Sequence, residues 1–288
     1  MQPFAYSAPS SIKEAVEILN KHGDKARAMA GGTDLLVQMR GGRFDLEAVV
    51  DIKKIPELNE LSNGSSELII GAAVPCYKLY DDSAISKAYP GLIDAATLIG
   101  GIQIQSRSGF GGNLCNATPS GDSIGPLIVH STVANIQGPS GSKSVPVEDF
   151  CTGPGSSILG KGDILVSLTV PNQGKNFGAA YERFIPRNEM DIAVAGVASS
   201  ISVGSDGKIN SARIALASVG PTPIFAKKAS DSLTGKPANQ ESFSEAAKIA
   251  KGECSPIEDM RGTVEQRVHL VEVLTGRTLN KSLERIGG

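Results

Sequence analysis

A glycine-rich stretch at residues 100–126 constrains this chain more than any other part of it. The stretch contains seven glycines, separated mostly by serine, threonine and asparagine, and its only carboxylate is that of Asp122. Glycine adopts backbone conformations that other residues avoid, and it lets the main chain approach a ligand closely. Exposed N–H groups in such a loop bind anions. The composition is unsuited to a hydrophobic core, and it predicts either a loop that binds a phosphate-bearing ligand or a flexible surface loop.

A second glycine pair strengthens the first of these interpretations. The apolar residues 28–30 predict a short strand that runs into Gly31 and Gly32. Thr33 and Asp34 follow, and such residues can cap the first turn of a helix. The N–H groups at a helix start carry partial positive charge and attract phosphate. Two such loops on one chain predict two walls of a single phosphate-binding site.

The residues of both loops match a family pattern. Residues 30–35 read Ala-Gly-Gly-Thr-Asp-Leu, and residues 111–119 read Gly-Gly-Asn-Leu-Cys-Asn-Ala-Thr-Pro before Asp122. These motifs resemble the two FAD-binding signatures of the flavoprotein (medium) subunit of molybdenum hydroxylases, the family of the xanthine dehydrogenase and carbon monoxide dehydrogenase subunits. Further stretches resemble landmarks of this family, in the family's order, at residues 149–155, 163–166, 190–193, 219–223 and 259–262.

The chain departs from the family pattern at residues 108–113. The family usually has Gly-Thr-Ile-Gly-Gly-Asn there, whereas this chain has Ser-Gly-Phe-Gly-Gly-Asn. A hydroxyl near the flavin phosphates is therefore missing, and backbone N–H groups or Ser108 must serve instead.

The resemblance implies an α+β fold in two domains. Residues 1–175 are expected to form a two-part FAD-binding domain of the p-cresol methylhydroxylase type, and residues 172–175 look like a linker. Residues 176–288 are expected to form the family's C-terminal domain. Alternating apolar patterns there predict long strands followed by helices, and hence an antiparallel sheet backed by helices.

The resemblance also implies which residues bind FAD. The flavin rings are expected at Ile99 and Leu165, and Arg183 is a further expected contact. From the residues alone, Leu165 could equally be a core strand residue, and Arg183 could be an exposed salt-bridge partner. The remaining expected contacts are Ala28, Met29, Ala30, Gly31, Gly32, Thr33, Asp34, Leu35, Gly109, Phe110, Gly111, Gly112, Asn113 and Asp122.

Composition limits the other classes of function. The chain has 288 residues and a net charge of −2, and it has no long run of either sign, so neither nucleic acid nor an anionic membrane is an expected partner. No apolar run approaches the ~20 residues of a membrane helix, and the first residues lack a secretory signal pattern. A cytoplasmic protein is the expectation.

The sequence contains no recognisable catalytic or metal-binding arrangement. Its four cysteines form no Cys-x-x-Cys pair, which argues against an iron–sulfur cluster or a zinc site within this chain. Its three histidines lie far apart, and neither a Ser/His/Asp set nor a carboxylate pair can be identified. We predict no catalytic residue and no metal ligand.

Local signals predict several element boundaries. Ser11 and Glu14 form a capping box for a helix, and Thr263 with Gln266 predicts the start of the last helix. Turn residues at 63–64 and 138–141 predict two hairpins. Arg267, Arg277 and Arg285 are interpreted most simply as solvated charges, and the alternative is that some of them face a partner subunit.

The predicted function is electron transfer through non-covalently bound FAD. The resemblance implies two partners, a small subunit with iron–sulfur clusters and a large molybdopterin subunit, in a dimer of heterotrimers. The acceptor is left open between NAD, oxygen and another carrier. One alternative is a self-contained FAD-dependent reductase resembling UDP-N-acetylmuramate dehydrogenase. Another is a phosphate- or nucleotide-binding module without redox chemistry. The substrate of the complete enzyme lies beyond what this chain's sequence can indicate.

Overall fold

The computed structural model describes residues 2–286. A small parallel sheet with two helices comes first. Its strand order is β1-β3-β2, so β2 is an edge strand. The elements, in chain order, are β1 (Ala5–Ser7), α1 (Ile12–His22), β2 (Ala26–Met29), α2 (Leu35–Arg40) and β3 (Ala48–Asp51), with a 3₁₀ turn at Gly23–Lys25.

The two helices of this first unit begin in different ways. In α1 the Ser11 hydroxyl accepts a hydrogen bond from the Glu14 N–H at 3.3 Å, which confirms the predicted cap. The predicted cap of the second helix is wrong. That helix starts at Leu35, and the N-cap residue Asp34 has helical dihedrals and makes no side-chain capping bond.

An antiparallel sheet and six short helices follow. The strand order is β4-β5-β10-β6-β7, with β8 and β9 as a separate ribbon. Both predicted hairpins are confirmed, as β4–β5 and β6–β7. The elements are β4 (Leu61–Asn63), β5 (Glu67–Gly71), α3 (Cys76–Asp81), α4 (Ser83–Ala88), α5 (Pro90–Ala96), α6 (Ile102–Gln105), α7 (Phe110–Asn116), α8 (Ile124–Val129), β6 (Val133–Gly138), β7 (Gly141–Pro146), β8 (Cys151–Gly153), β9 (Ser156–Ser157) and β10 (Ile164–Pro171), with 3₁₀ turns at Pro56–Asn59 and Val147–Asp149.

The glycine-rich stretch is not a loop apart from the core, contrary to the expectation from its composition. It contains α6, α7 and the start of α8, and Phe110, Leu114 and Ile124 in these helices are buried in the largest hydrophobic cluster. Small residues between these apolar side chains let the short helices pack closely. Part of this stretch therefore belongs to the core, and only some of its glycines face open space.

The C-terminal part (residues 177–286) is an antiparallel sheet backed by helices, as expected. Its strands are hydrogen-bonded in sequence order. A separate hydrophobic cluster fills the space between this sheet and its three helices. The elements are β11 (Phe177–Phe184), β12 (Ala195–Val203), β13 (Ile209–Ala217), β14 (Ile224–Phe225), α9 (Lys227–Leu233), α10 (Gln240–Ala250) and α11 (Val264–Glu284).

The apolar pattern predicts a last helix over residues 264–275, and the helix in the structure is longer. Thr263 caps it as predicted, accepting from the Gln266 N–H at 3.1 Å. It continues past residue 275 because small and hydroxyl side chains let it lie directly on β11 and β12; a Cβ at Gly178 would overlap the Ser282 carbonyl. The interpretation of Arg267 as a solvated charge is wrong. Its side chain is buried, and it bonds to the Val194 carbonyl at 2.6 Å and to Asp259 at 2.7 Å.

Three arginine–carboxylate pairs join the C-terminal part to the rest of the chain. In each pair the arginine belongs to the C-terminal part and the carboxylate to an earlier element. The N···O distances are 2.5 Å for Arg183–Asp122, 2.6 Å for Arg213–Glu148 and 2.6 Å for Arg285–Asp94. We call this contact the junction. Because Tyr181, Ala198 and Ala215 also enter the largest hydrophobic cluster, the junction is both ionic and apolar.

Candidate cofactor site

A cavity of about 570 Å³ lies between the parallel sheet, α7 and the start of β10. This volume is within the range of small-molecule and cofactor sites. The cavity is lined by every residue from 26 to 35, by parts of the glycine-rich stretch and by residues 155–157 and 159–165. Half of the lining residues are glycine, alanine, serine, threonine or cysteine, and the other half are larger.

The edge strand β2 forms one wall. It pairs with β3 on one side only, so the peptide groups of its other edge have no strand partner within the sheet. All four of its residues line the cavity. An unpaired strand edge offers a row of N–H and C=O groups to whatever lies beside it. The wall can thus bind a ligand through the main chain.

The two glycine loops touch each other directly. A Cβ atom at Gly31 would overlap the carbonyl of Arg107, at the end of the turn before α7. Gly32 has a positive φ of 75°, a conformation that glycine adopts without strain. The first loop therefore turns away from β2 while packed against the second, and the two form one continuous surface. Both loops line one cavity, and their binding of phosphate stays a prediction.

The glycines of the second loop have different roles. A Cβ at Gly109 would overlap the Val74 carbonyl, and one at Gly111 would overlap the Ala72 carbonyl, so these two glycines allow α7 to pack on the chain after β5. Gly112 is exposed, and a Cβ there would have no atom within 4 Å. Gly112 therefore leaves space in the cavity itself.

Polar side chains next to Gly112 are held in place by hydrogen bonds. The Asn113 carbonyl oxygen accepts from the Ser123 hydroxyl at 2.7 Å and from its N–H at 3.2 Å. Gln38 donates to Asn116 at 2.9 Å, which links α2 to α7 across the cavity floor. The Cys115 side chain is exposed and lines the cavity.

The predicted contacts fall into two groups. Fourteen of the seventeen line this cavity, and Phe110, Asp122 and Arg183 do not. Those in the lining are Ala28, Met29, Ala30, Gly31, Gly32, Thr33, Asp34, Leu35, Ile99, Gly109, Gly111, Gly112, Asn113 and Leu165. Burial raises the pKa of Asp34, the only carboxylate of the first loop.

Phe110, at the position that departs from the family pattern, points into the core and is fully buried. Ser108 lines the cavity, but its hydroxyl lies against the Cys76 sulfur at 4.0 Å. The missing hydroxyl is that of the threonine in the family pattern, at the position of Gly109, whereas Phe110 supplies hydrophobic packing where the pattern has isoleucine.

Asp122 and Arg183 lie in the junction. Asp122 accepts from Arg183 at 2.5 Å and from the Tyr181 hydroxyl at 2.8 Å, and Arg183 also donates to the Leu98 carbonyl. Arg183 is thus a salt-bridge partner, but a buried one. Burial raises the pKa of Asp122, and Arg183 and Tyr181, which both favour the carboxylate, offset this only in part.

Several cavity residues carry no sequence motif. Arg27, Arg43, Phe44 and Lys161 line one end of the cavity, and the hydroxyls of residues 156–157 lie nearby. The segment at 149–155 resembles a family landmark, but no site role was predicted for it, and in the landmark at 163–166 only Leu165 was a predicted contact. Only the fold brings these residues to the first glycine loop.

The arrangement suits a dinucleotide cofactor. Gly112 leaves room that a side chain would fill, β2 and the loops offer main-chain groups, and Ile99 and Leu165 supply apolar surface. Within residues 2–286 no group of three His, Cys, Asp or Glu side chains could hold a metal ion. The fold and the cavity define a protein with a site for a phosphate-bearing organic cofactor.

Comparison with known proteins identifies the family. Residues 2–173 match the family described as "FAD binding domain in molybdopterin dehydrogenase", and residues 179–282 match the "CO dehydrogenase flavoprotein C-terminal domain". The chain therefore belongs to the family of FAD-binding medium subunits of molybdenum-dependent dehydrogenases. It is an oxidoreductase subunit, and FAD is the cofactor of its binding domain. The resemblance seen in the sequence and the expected fold are both confirmed.

Relatives match over nearly the whole chain. The carbon monoxide dehydrogenase medium chain of Hydrogenophaga pseudoflava is 31% identical, covering 98% of this chain and 98% of the relative. The xanthine dehydrogenase FAD-binding subunit of Escherichia coli O157:H7 is 29% identical, covering 99% and 97%.

Among solved structures, carbon monoxide dehydrogenase from H. pseudoflava, lacking the Mo-pyranopterin moiety of its molybdenum cofactor, superposes with a TM-score of 0.94. Its sequence identity is 32%, and the match covers 99% of this chain and 100% of that one. Quinoline 2-oxidoreductase from Pseudomonas putida 86 gives a TM-score of 0.91 at 26% identity, covering 100% and 99%. None of the helices in the described part of the chain is long and apolar enough to cross a membrane.

Proposed function

We propose that this chain relays electrons from a partner subunit to an external acceptor. The electrons would come from iron–sulfur clusters on a small subunit, after a large molybdopterin subunit has oxidised the substrate. The observation that carries the proposal is the glycine-lined cavity within a chain that matches FAD-binding subunits over its full length. The relatives' names, medium chain and FAD-binding subunit, describe one component of a larger enzyme.

In this proposal the chain's own residues bind and shield FAD. Main-chain groups of the two loops, at Gly31 and Gly112, would face the diphosphate, and Ile99 and Leu165 would pack on the rings. When bound, FAD supplies a carrier that exchanges electrons singly or in pairs and so couples one-electron clusters to a two-electron acceptor. Asn113, fixed by Ser123, would orient the loop that meets the cofactor.

Exposed apolar side chains support a protein partner. Met190 and Ile192 are 53% and 49% exposed, and Met260 is 95% exposed. Met190 lies over Gly101, just before α6, because a Cβ at Gly101 would be 3.2 Å from its sulfur. Ile102, at the start of α6, is 72% exposed. Exposed apolar patches mark interaction surfaces, and the exposed side chains of Met190 and Ile102 adjoin α6, the helix that follows Ile99.

The finer assignments complete the proposal. We place the domain boundary at residue 175, between the family matches that end at residue 173 and begin at 179. The assembly would be a dimer of heterotrimers in the cytoplasm, where four free thiols such as those of this chain are typical. The acceptor would be NAD or oxygen.

The test is reconstitution of the full chain with its partners. Purified alone, the chain should show a flavin spectrum and no turnover of purines, aldehydes, N-heterocycles or carbon monoxide. Flavin reduction by substrate should appear only when both the iron–sulfur and the molybdopterin subunits are added. Rapid turnover of an organic substrate by the chain alone would overturn the relay and favour a self-contained reductase. A folded, colourless chain with no affinity for FAD would favour a binding module of another kind.

A further inference from the structure

One end of the cavity is formed by Arg27, Arg43 and Phe44, which we call the arginine–phenylalanine cluster. The guanidinium carbon of Arg27 lies 5.0 Å from the centre of the Phe44 ring, and that of Arg43 lies 5.4 Å from it. All three residues line the cavity. Cation–π contacts of this length are attractive. The ring thus holds two like charges close together at a ligand site.

The cluster lies away from the apolar end of the cavity. Arg27 is near the start of β2, where it donates to the carbonyls of Asp24 and Ala26 at 3.2 and 2.8 Å. Gly31 lies four residues further on, roughly 13 Å along an extended chain. Phe44 packs on the small cluster of Met39, Leu46 and Val49, whereas Ile99 and Leu165 belong to the largest core. The cationic end and the apolar end of the cavity therefore pack on different hydrophobic clusters.

The two guanidinium charges are not neutralised by this chain. Within residues 2–286, neither Arg27 nor Arg43 forms an ion pair, whereas nearby Lys161 pairs with Asp24 at 2.9 Å. Arg43 reaches Gly155, where a Cβ would overlap its guanidinium and where φ is +72°. A larger residue at this position would be strained and would displace Arg43. The turn between β8 and β9 therefore leaves space for this charge.

We propose that the arginine–phenylalanine cluster binds the adenosine-diphosphate half of FAD and makes the chain select FAD over FMN. This inference rests on the proposed function. Arginine forms strong charge-assisted hydrogen bonds to phosphate, and guanidinium and phenyl planes stack on aromatic bases. FMN carries one phosphate and no adenosine. It fills the apolar end and the glycine loops and leaves the cationic end without a ligand.

The test compares FAD, FMN and ADP as ligands of the full chain by isothermal titration calorimetry. The variants are Arg43→Ala, Arg27→Met and the double variant, with Arg40→Ala as the control, since Arg40 is an exposed arginine outside the cavity. Each cluster substitution should lower the affinity for FAD and for ADP about tenfold or more, because a charge-assisted hydrogen bond is lost. FMN affinity should change less than about twofold on the same reasoning, and the control should match the wild type.

The outcomes separate this inference from the proposed function. If the wild-type chain binds FAD and the cluster variants bind it equally well, the inference is overturned, while the proposed electron-transfer function is unaffected. Equal losses of affinity for FAD and for FMN would overturn the proposed selectivity for FAD. A wild-type chain that binds neither FAD nor ADP would overturn both. Thermal unfolding of each variant establishes that lost binding is not lost folding; if Arg27→Met unfolds, Arg43→Ala alone decides, since Arg43 is exposed.

Discussion

The cavity and the junction are built from the same chain by opposite means. The cavity is bordered by glycines, an unpaired strand edge and two arginines that pair with no carboxylate within residues 2–286. In the junction, three arginines each meet a carboxylate, and tyrosine and alanine side chains close the space between them. Buried charge needs a partner, while a binding site needs groups that are still free. The difference separates residues that bind a ligand from residues that bind each other.

The largest expected effect comes from breaking the junction at Asp122. Asp122→Ala leaves Arg183 charged, 5% exposed and without its carboxylate, which should lower the free energy of unfolding by about 3–5 kcal/mol. Urea unfolding measures it. The double variant Asp122→Ala/Arg183→Met should lose less free energy of unfolding than the two single variants lose in sum, because no unpaired charge remains.

Two further results would sharpen this prediction. Arg187→Ala, which breaks the exposed Arg187–Asp191 pair, is the matched control and should cost less than about 1 kcal/mol. If Asp122→Ala weakens FAD binding while the unfolding midpoint stays at the wild-type value, Asp122 belongs to the cofactor site, as the family resemblance implies.

A second prediction concerns His130, a buried junction residue. Its Nδ1 lies 2.8 Å from the Pro126 carbonyl, and desolvation lowers the pKa of its imidazole to about 4 from 6.5. Between these values the unfolded chain binds more protons than the folded chain does. The free energy of unfolding should therefore be largest above about pH 6.5 and fall by about 3 kcal/mol as the pH drops to about 4.

Chemical denaturation at several pH values measures this loss. His130→Asn should remove the contribution of His130 to the slope of the free energy of unfolding against pH. His269→Asn, at an exposed residue, is the control and should leave the pH dependence of unfolding as it is in the wild type. A slope that is the same in the wild type and in His130→Asn would contradict the prediction.

The smallest expected effects distinguish two neighbouring glycines. Gly111→Ala should destabilise the fold by about 1–3 kcal/mol, because its Cβ meets the Ala72 backbone. Gly112→Ala should leave the free energy of unfolding unchanged or raise it slightly, since alanine favours a helix and the position is open. Thermal unfolding of the two variants measures this difference.

Gly112→Val extends the comparison to binding. The larger side chain should project into the cavity and weaken FAD binding about a hundredfold or more, with the fold retained, and flavin fluorescence measures the affinity. A folded Gly112→Val protein with full flavin occupancy would show that the cofactor does not approach this helix.

Local chemistry made much of the fold predictable. The caps at Ser11 and Thr263 and both hairpins are where short-range signals place them. The antiparallel C-terminal sheet follows from alternating apolar residues. The prediction that Asp34 caps a helix failed because that residue has helical dihedrals, which its neighbours in the sequence do not reveal. The interpretation of Arg267 as a solvated charge failed because its partner, Asp259, lies in a turn before the helix, where the helical pattern does not reveal it.

By itself, the sequence determined the family, the cofactor and the two glycine loops, since backbone freedom and motif order are local properties. Only the tertiary structure decided which glycines face the cavity and which ones pack on backbone. It alone paired Arg183 with Asp122, 61 residues away, and placed Arg43 beside Gly155. Glycine has the same intrinsic freedom in the core and in a ligand site, and an arginine has the same charge in both. What surrounds each of them depends on contacts between distant segments, which exist only after the chain has packed.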